Sequence, residues 1–241
     1  MQPTYYNRYK LRGGNYESIT CYGANIMLGS VKTDDLRLRG DLYGDYALRV
    51  GNLHATGSLR VPQLRCNSAF WYGNSSARCE MQVSKQLSLN GRFIGEGTIV
   101  SPVVRINGTV TYNGRITAGE IIAQGELALG ALDANDVRIE FAERSRIASI
   151  HGLRVIISRR PLNAVFRLFL PGSLTRNSVC SVAGGITGDV INIENVAADN
   201  VSGNDVIIGP GCQINKVYYR DHIYIDENAW VGWYEPLPDK L

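Results

Sequence analysis

At 241 residues the chain is long enough for one large domain or two small ones, and 44% hydrophobic with 20% charged residues is the composition of a folded globular protein, not a disordered one. No run approaches the ~20 apolar residues of a membrane span, and the opening stretch MQPTYYNRYKLRGG has no apolar centre such as an export signal carries, so the expected location is cytoplasmic. The net charge of +3 is unevenly spread: residues 1–143 carry 15 basic and 13 acidic side chains, Arg144 to Gly188 seven Arg and no carboxylate, and Asp189 to Leu241 nine acids against three bases. A basic belt followed by an acidic end points to an electrostatic partner, another copy of the chain among the candidates.

Residues 1–14 read as a flexible tail. From there to 156 the chain repeats itself in units that begin at Ser18, Asp35, Asn52, Ser68, Gln86, Val103, Glu120 and Asp136, with lengths of 17, 17, 16, 18, 17, 17, 16 and 17 residues. The second and fourth places are apolar, as in Ile19/Cys21, Leu36/Leu38, Leu53/Ala55, Leu87/Leu89 and Val104/Ile106. The sixth is Gly in all but the last unit: Gly23, Gly40, Gly57, Gly73, Gly91, Gly108 and Gly125, then Phe141. A two-residue apolar period is the mark of a strand, because alternate side chains point to opposite faces. Gly, Asn and Asp separate the short strands at corners where positive φ costs little. One such unit cannot bury its apolar face, but units stacked on one another bury a continuous core. The repeat therefore predicts a β-solenoid.

The period fails over 157–178, ISRRPLNAVFRLFLPGSLTRNS. Leu162, Val165, Phe166 and Phe169 instead share one helical face between Pro161 and Pro171, and Arg159, Arg160, Arg167 and Arg176 surround it. This reads as an inserted loop with a short amphipathic helix that either covers the solenoid or meets a membrane or partner. The pattern resumes over 179–233, with Ile191/Ile193, Val206/Ile208, Cys212/Ile214, Val217/Tyr219, Ile223/Ile225 and Ala229/Val231, and ends in a tail at 234–241.

The sustained register of alternating apolar residues with a sixth-place Gly resembles the bactofilins, or polymer-forming cytoskeletal proteins. The segment DVIIGPGCQINKVYYRDHIYIDENAWVG is similar to the C-terminal coils of a longer bactofilin-like subgroup that also carries a basic apolar insertion. The resemblance covers roughly residues 15–233. It implies a right-handed parallel β-helix that polymerises end to end without nucleotide and scaffolds other proteins, often at the inner membrane face. It implies no enzymatic activity, cofactor, metal or nucleic-acid partner; the expected partners are the chain itself and the inner-membrane surface or cell-envelope proteins. The polar, tyrosine-rich start departs from the family's apolar membrane-targeting peptide.

His54, His151 and His222 are far apart in sequence, whereas a metal site or catalytic base needs converging ligands. The sequence GPG at 209–211 lacks the Lys-Ser/Thr of a phosphate loop and reads as a coil corner. Asp34/Asp35, DAND at 133–136 and DEN at 226–228 read as solvated corners. Trp71, Tyr72, Trp230, Trp233 and Tyr234 are expected in core and cap packing, with carbohydrate stacking as the rival. The five cysteines, without a CxxC pair, are expected as buried apolar residues. Enzymes on a β-helix, hexapeptide acyltransferases and polysaccharide lyases or hydrolases, are the alternative. Strict sixths, a histidine between coils or clustered carboxylates would mark them.

Overall fold

The computed structural model describes residues 4–6, 10–142, 144–159 and 178–237. Every regular element among them is a strand, and the strands form a parallel β-solenoid of about 12 turns with roughly 17 residues per turn. The strands are β1 (Thr4–Tyr6), β2 (Lys10–Leu11), β3 (Gly14–Leu28), β4 (Val31–Gly44), β5 (Leu48–Phe141), β6 (Ser145–Arg159), β7 (Cys180–Val182), β8 (Ile186–Ile193), β9 (Val196–Ile208), β10 (Gln213–Ile225) and β11 (Trp230–Pro236). They gather into two compact units, Met1–Glu120 and Ile121–Leu241.

In unit 1 the pairing follows the sequence repeat. Ile19 pairs with Leu36 and Leu36 with Leu53, while Cys21 pairs with Leu38 and Leu38 with Ala55. All six are buried, so second and fourth places of successive turns build the core as continuous columns. Burying each Leu or Ile side chain contributes about 1.5–3 kcal/mol. The six sixth-place glycines of unit 1, Gly23, Gly40, Gly57, Gly73, Gly91 and Gly108, all have positive φ, as does Gly125 of unit 2. A second corner, which the repeat did not reveal, stacks Gly97 and Gly114, with φ of +119° and +151°.

In unit 2 two columns run through five successive rungs: Val137, Val155, Ile191, Val206, Ile223, and beside them Ile139, Ile157, Ile193, Ile208, Ile225. The pairing passes from Ile157 to Ile193, across the stretch 160–177 that lies outside the described residues.

The ladder also reaches past the boundaries read from sequence. Thr4–Tyr6 pair with Thr20–Tyr22, and Lys10–Leu11 with Met27–Leu28, so parts of the expected tail are strands. Two- and three-residue strands contain too few apolar positions to show a period. Ile157, placed at the start of the insertion, is fully buried and continues the alternation begun by Val155. At the other end β11 extends the ladder to Pro236.

Candidate interaction surfaces

Of the residues named for membrane or partner contact, Arg159 is described: it ends β6, half-buried and paired with Phe141. Arg160, Leu162, Val165, Phe166, Arg167, Phe169 and Arg176 lie outside the described residues, as does the helix expected there. The described part of the basic belt is partly neutralised. Asp136 accepts two hydrogen bonds from Arg138, both 3.1 Å, and two from Arg154 on the next rung, 3.1 and 2.7 Å. Arg138's bond does most to hold the Asp136 carboxyl below its ordinary range; partial burial opposes it, and Arg154 adds to the lowering. A residue read as a solvated corner is thus the hub of a three-charge cluster.

The aromatic residues divide. Trp71, at an inward fourth place, is fully buried and meets Phe93 edge to face at 5.7 Å. Tyr72 is the outward fifth-place residue beside it and is exposed. Trp230, Trp233 and Tyr234 are 56%, 46% and 54% exposed, which corrects the expectation of core and cap packing. The physical reason is position: β11 is the last described rung, so no further described turn covers its side chains. One partial exception is Trp233, which contacts Tyr218 edge to face at 5.9 Å.

The outer faces of unit 1 are cationic and aromatic. The Arg39 guanidinium lies 5.7 Å from the Tyr22 ring centroid. His54, at an outward third place of its unit, stacks on Phe70 at 5.1 Å. On a different stretch of the turn, Lys32 and Arg49 are register partners, and Arg65 joins them in lining a groove of about 590 Å³. The sequence hid this groove because its members are one turn apart, so no local motif joins them.

His222 Nδ1 lies 2.8 Å from an Asp205 carboxylate oxygen on the neighbouring rung, at the surface. Among the described residues no three of His, Cys, Asp and Glu gather as a metal site would require. All five cysteines are free and buried. Burial pushes the thiols of Cys21, Cys66, Cys79 and Cys180 up to about 12 and that of Cys212 up to about 11. The Cys212 thiol donates to the Ile193 carbonyl at 3.3 Å. Among the described residues no helix is long and apolar enough to cross a membrane.

The fold and these surfaces define a parallel β-solenoid whose last described rung is aromatic. No protein-family model matches the chain, and no solved structure matches it. Among curated proteins the chain is similar to the uncharacterized protein YhbE of Bacillus subtilis (strain 168), with 35% identity over 104 residues. That match takes in 42% of this chain and 41% of the relative, so the chain spans less than half the length of the protein it matches.

Proposed function

We propose that the chain is a non-enzymatic structural protein of the bactofilin kind, which assembles with copies of itself end to end and holds other proteins on its outer faces. The observation that carries this reading is the state of β11. Its backbone pairs with β10 on one side and has no partner among the described residues on the other, and Trp230, Trp233 and Tyr234 stand exposed along it. An unpaired strand edge is a template for pairing with another chain, and a cluster of exposed aromatics is the usual chemistry of a protein interface. Electron microscopy and sedimentation of the purified protein test the reading. Filaments that Trp230→Lys/Trp233→Lys shortens or abolishes are expected. Monomers at high concentration and low salt, or discrete trimers, would overturn it; trimers would favour the acyltransferase alternative.

The cytoplasmic location and a contact with the inner membrane face belong to the same proposal, with 157–178 as the contacting segment. Basic side chains near anionic lipid contribute about 1 kcal/mol each, and apolar insertion adds to this. Wild type is expected to sediment with anionic liposomes and Phe166→Glu/Phe169→Glu to stay in solution. Equal and negligible sedimentation by both removes the membrane role.

A further inference from the structure

We propose that the groove across the Lys32, Arg49 and Arg65 rungs of unit 1 binds a ligand carrying two or more linked phosphate groups. Lys32 and Arg49 are direct register partners, so their backbones stand about 4.8 Å apart. All three side chains are exposed, and all line the same groove. Like charges on adjacent rungs repel and destabilise a sheet. No ion pair among the described residues joins any of the three to a carboxylate. In unit 2, by contrast, two arginines on neighbouring rungs, Arg138 and Arg154, share the carboxylate of Asp136. In the groove of unit 1 the one carboxylate of the described lining, Asp34, makes no ion pair with any of the three, which leaves them to an external counter-ion.

The neighbouring groups are arranged as donors. Arg65 Nε donates to Gln63 Oε1 at 3.0 Å, which steadies the guanidinium and leaves its terminal N–H groups available. The Ser84 hydroxyl donates to Asn67 Oδ1 at 3.0 Å, which leaves the Asn67 amide N–H groups without a protein partner among the described residues. Gly51 brings its own backbone close against that of Asp34 at the groove wall. A Cβ there would stand 2.3 Å from the Asp34 carbonyl oxygen, so only bare backbone fits. Val50, Cys66 and Val83 form an apolar base beneath the polar rim. The volume of about 590 Å³ suits a small molecule.

Phosphate is the anion that fits. Arg presents a planar fork that binds its oxygens two at a time, and three cations spaced over about 10 Å match several charges in a row. Asp34, the single carboxylate among the described lining residues, leaves the three cations in excess. Unit 1 as a whole carries 14 basic against 8 acidic side chains, so its field draws anions in.

Tripolyphosphate, titrated into the full-length protein and followed by calorimetry, is the test. Saturable binding at one site per chain is expected, weakened about tenfold by Arg49→Gln and by Arg65→Gln, each of which removes a charge-assisted bond. Lys32→Gln weakens it as well, and Arg105→Gln, an exposed site outside the groove, leaves it within about twofold of wild type. Thermal unfolding checks that each variant is folded, and the exposed positions make misfolding of all three groove variants a contradiction in itself. Absence of saturable binding, an equal loss in Arg105→Gln, or binding to phosphatidylglycerol vesicles without binding to tripolyphosphate would each overturn the proposal. None of these outcomes depends on whether the chain polymerises.

Discussion

Gly57 lies one turn after Gly40 with no room between them: a Cβ on Gly57 would stand 2.1 Å from the Gly40 carbonyl oxygen. Both residues also have positive φ, +123° and +137°. Two separate penalties therefore meet an alanine at this corner, one steric and one conformational. At Gly40, Gly57, Gly91 and Gly108 the sixth place must clear the backbone of the turn before it, whereas at Gly73, where a Cβ would meet only Thr56 Cγ2 at 3.7 Å, the positive φ alone favours glycine.

Gly57→Ala is accordingly expected to destabilise unit 1 by at least about 1–3 kcal/mol, the cost of a residue held in an unfavourable backbone region. The neighbouring exposed Thr56→Ala is the control and should cost within about 0.5 kcal/mol. Thermal unfolding of both variants checks this. Equal melting temperatures would mean the corner is loose enough to shift.

Tyr112 gives the opposite sign. Its ring is 1% exposed in the interior of unit 1, and its hydroxyl has no hydrogen-bond partner among the described residues. A buried hydroxyl left unpaired costs about 1–3 kcal/mol. Tyr112→Phe removes that hydroxyl and keeps the ring, so the variant is expected to unfold at the same or a higher temperature than wild type. A loss of stability would reveal a partner for the oxygen.

The core columns were legible in the sequence because a solenoid writes its register into one dimension. In the Val103 unit the alternation puts Ile106 and Val110 inward and Arg105 and Thr109 outward, and that is where they lie. Side chains in such a fold alternate with a period of two, and each turn restarts the pattern after a glycine. Short strands such as Thr4–Tyr6 escaped notice because three residues cannot display a period. The basic groove escaped because Lys32, Arg49 and Arg65 meet through rung stacking, and each alone looks like an ordinary solvated charge. Exposure of Trp230 and Trp233 escaped for a different reason. Hydrophobicity says that a side chain leaves water if something covers it, and in the described residues nothing follows β11 to do so.

Asp136 sets an acid limit on its cluster. Its carboxyl is held below the ordinary value of 3.8, chiefly by the Arg138 hydrogen bond. A depressed pKa contributes stability that is fully present above the unfolded value and is lost as pH falls through the folded value. The window therefore lies below about pH 4. Asp136→Asn should cost about 0.2–1 kcal/mol per lost exposed pair at neutral pH. It should also show a shallower fall in stability than wild type on acidification below that point. Parallel pH curves for the two proteins would show that Asp136 keeps an ordinary pKa.

The cysteines carry the last prediction. A thiol reacts as its thiolate, and a raised pKa suppresses that form. With values pushed to about 12 for four cysteines and about 11 for Cys212, thiolate is scarce at pH 8. Burial adds a second barrier, since the reagent must wait for a turn to open. Native protein treated with an aromatic disulfide reagent at pH 8 should release almost no chromophore over minutes, and denatured protein should release five equivalents, one for each cysteine. The two barriers separate by pH. If ionisation limits the rate, raising pH from 8 to 9 speeds the reaction about tenfold, because thiolate rises in proportion to hydroxide well below the pKa. If opening limits it, the rate hardly changes and instead tracks denaturant at sub-unfolding concentrations. Rapid modification of any one thiol in the native protein would place that residue at a surface and contradict its column in the core.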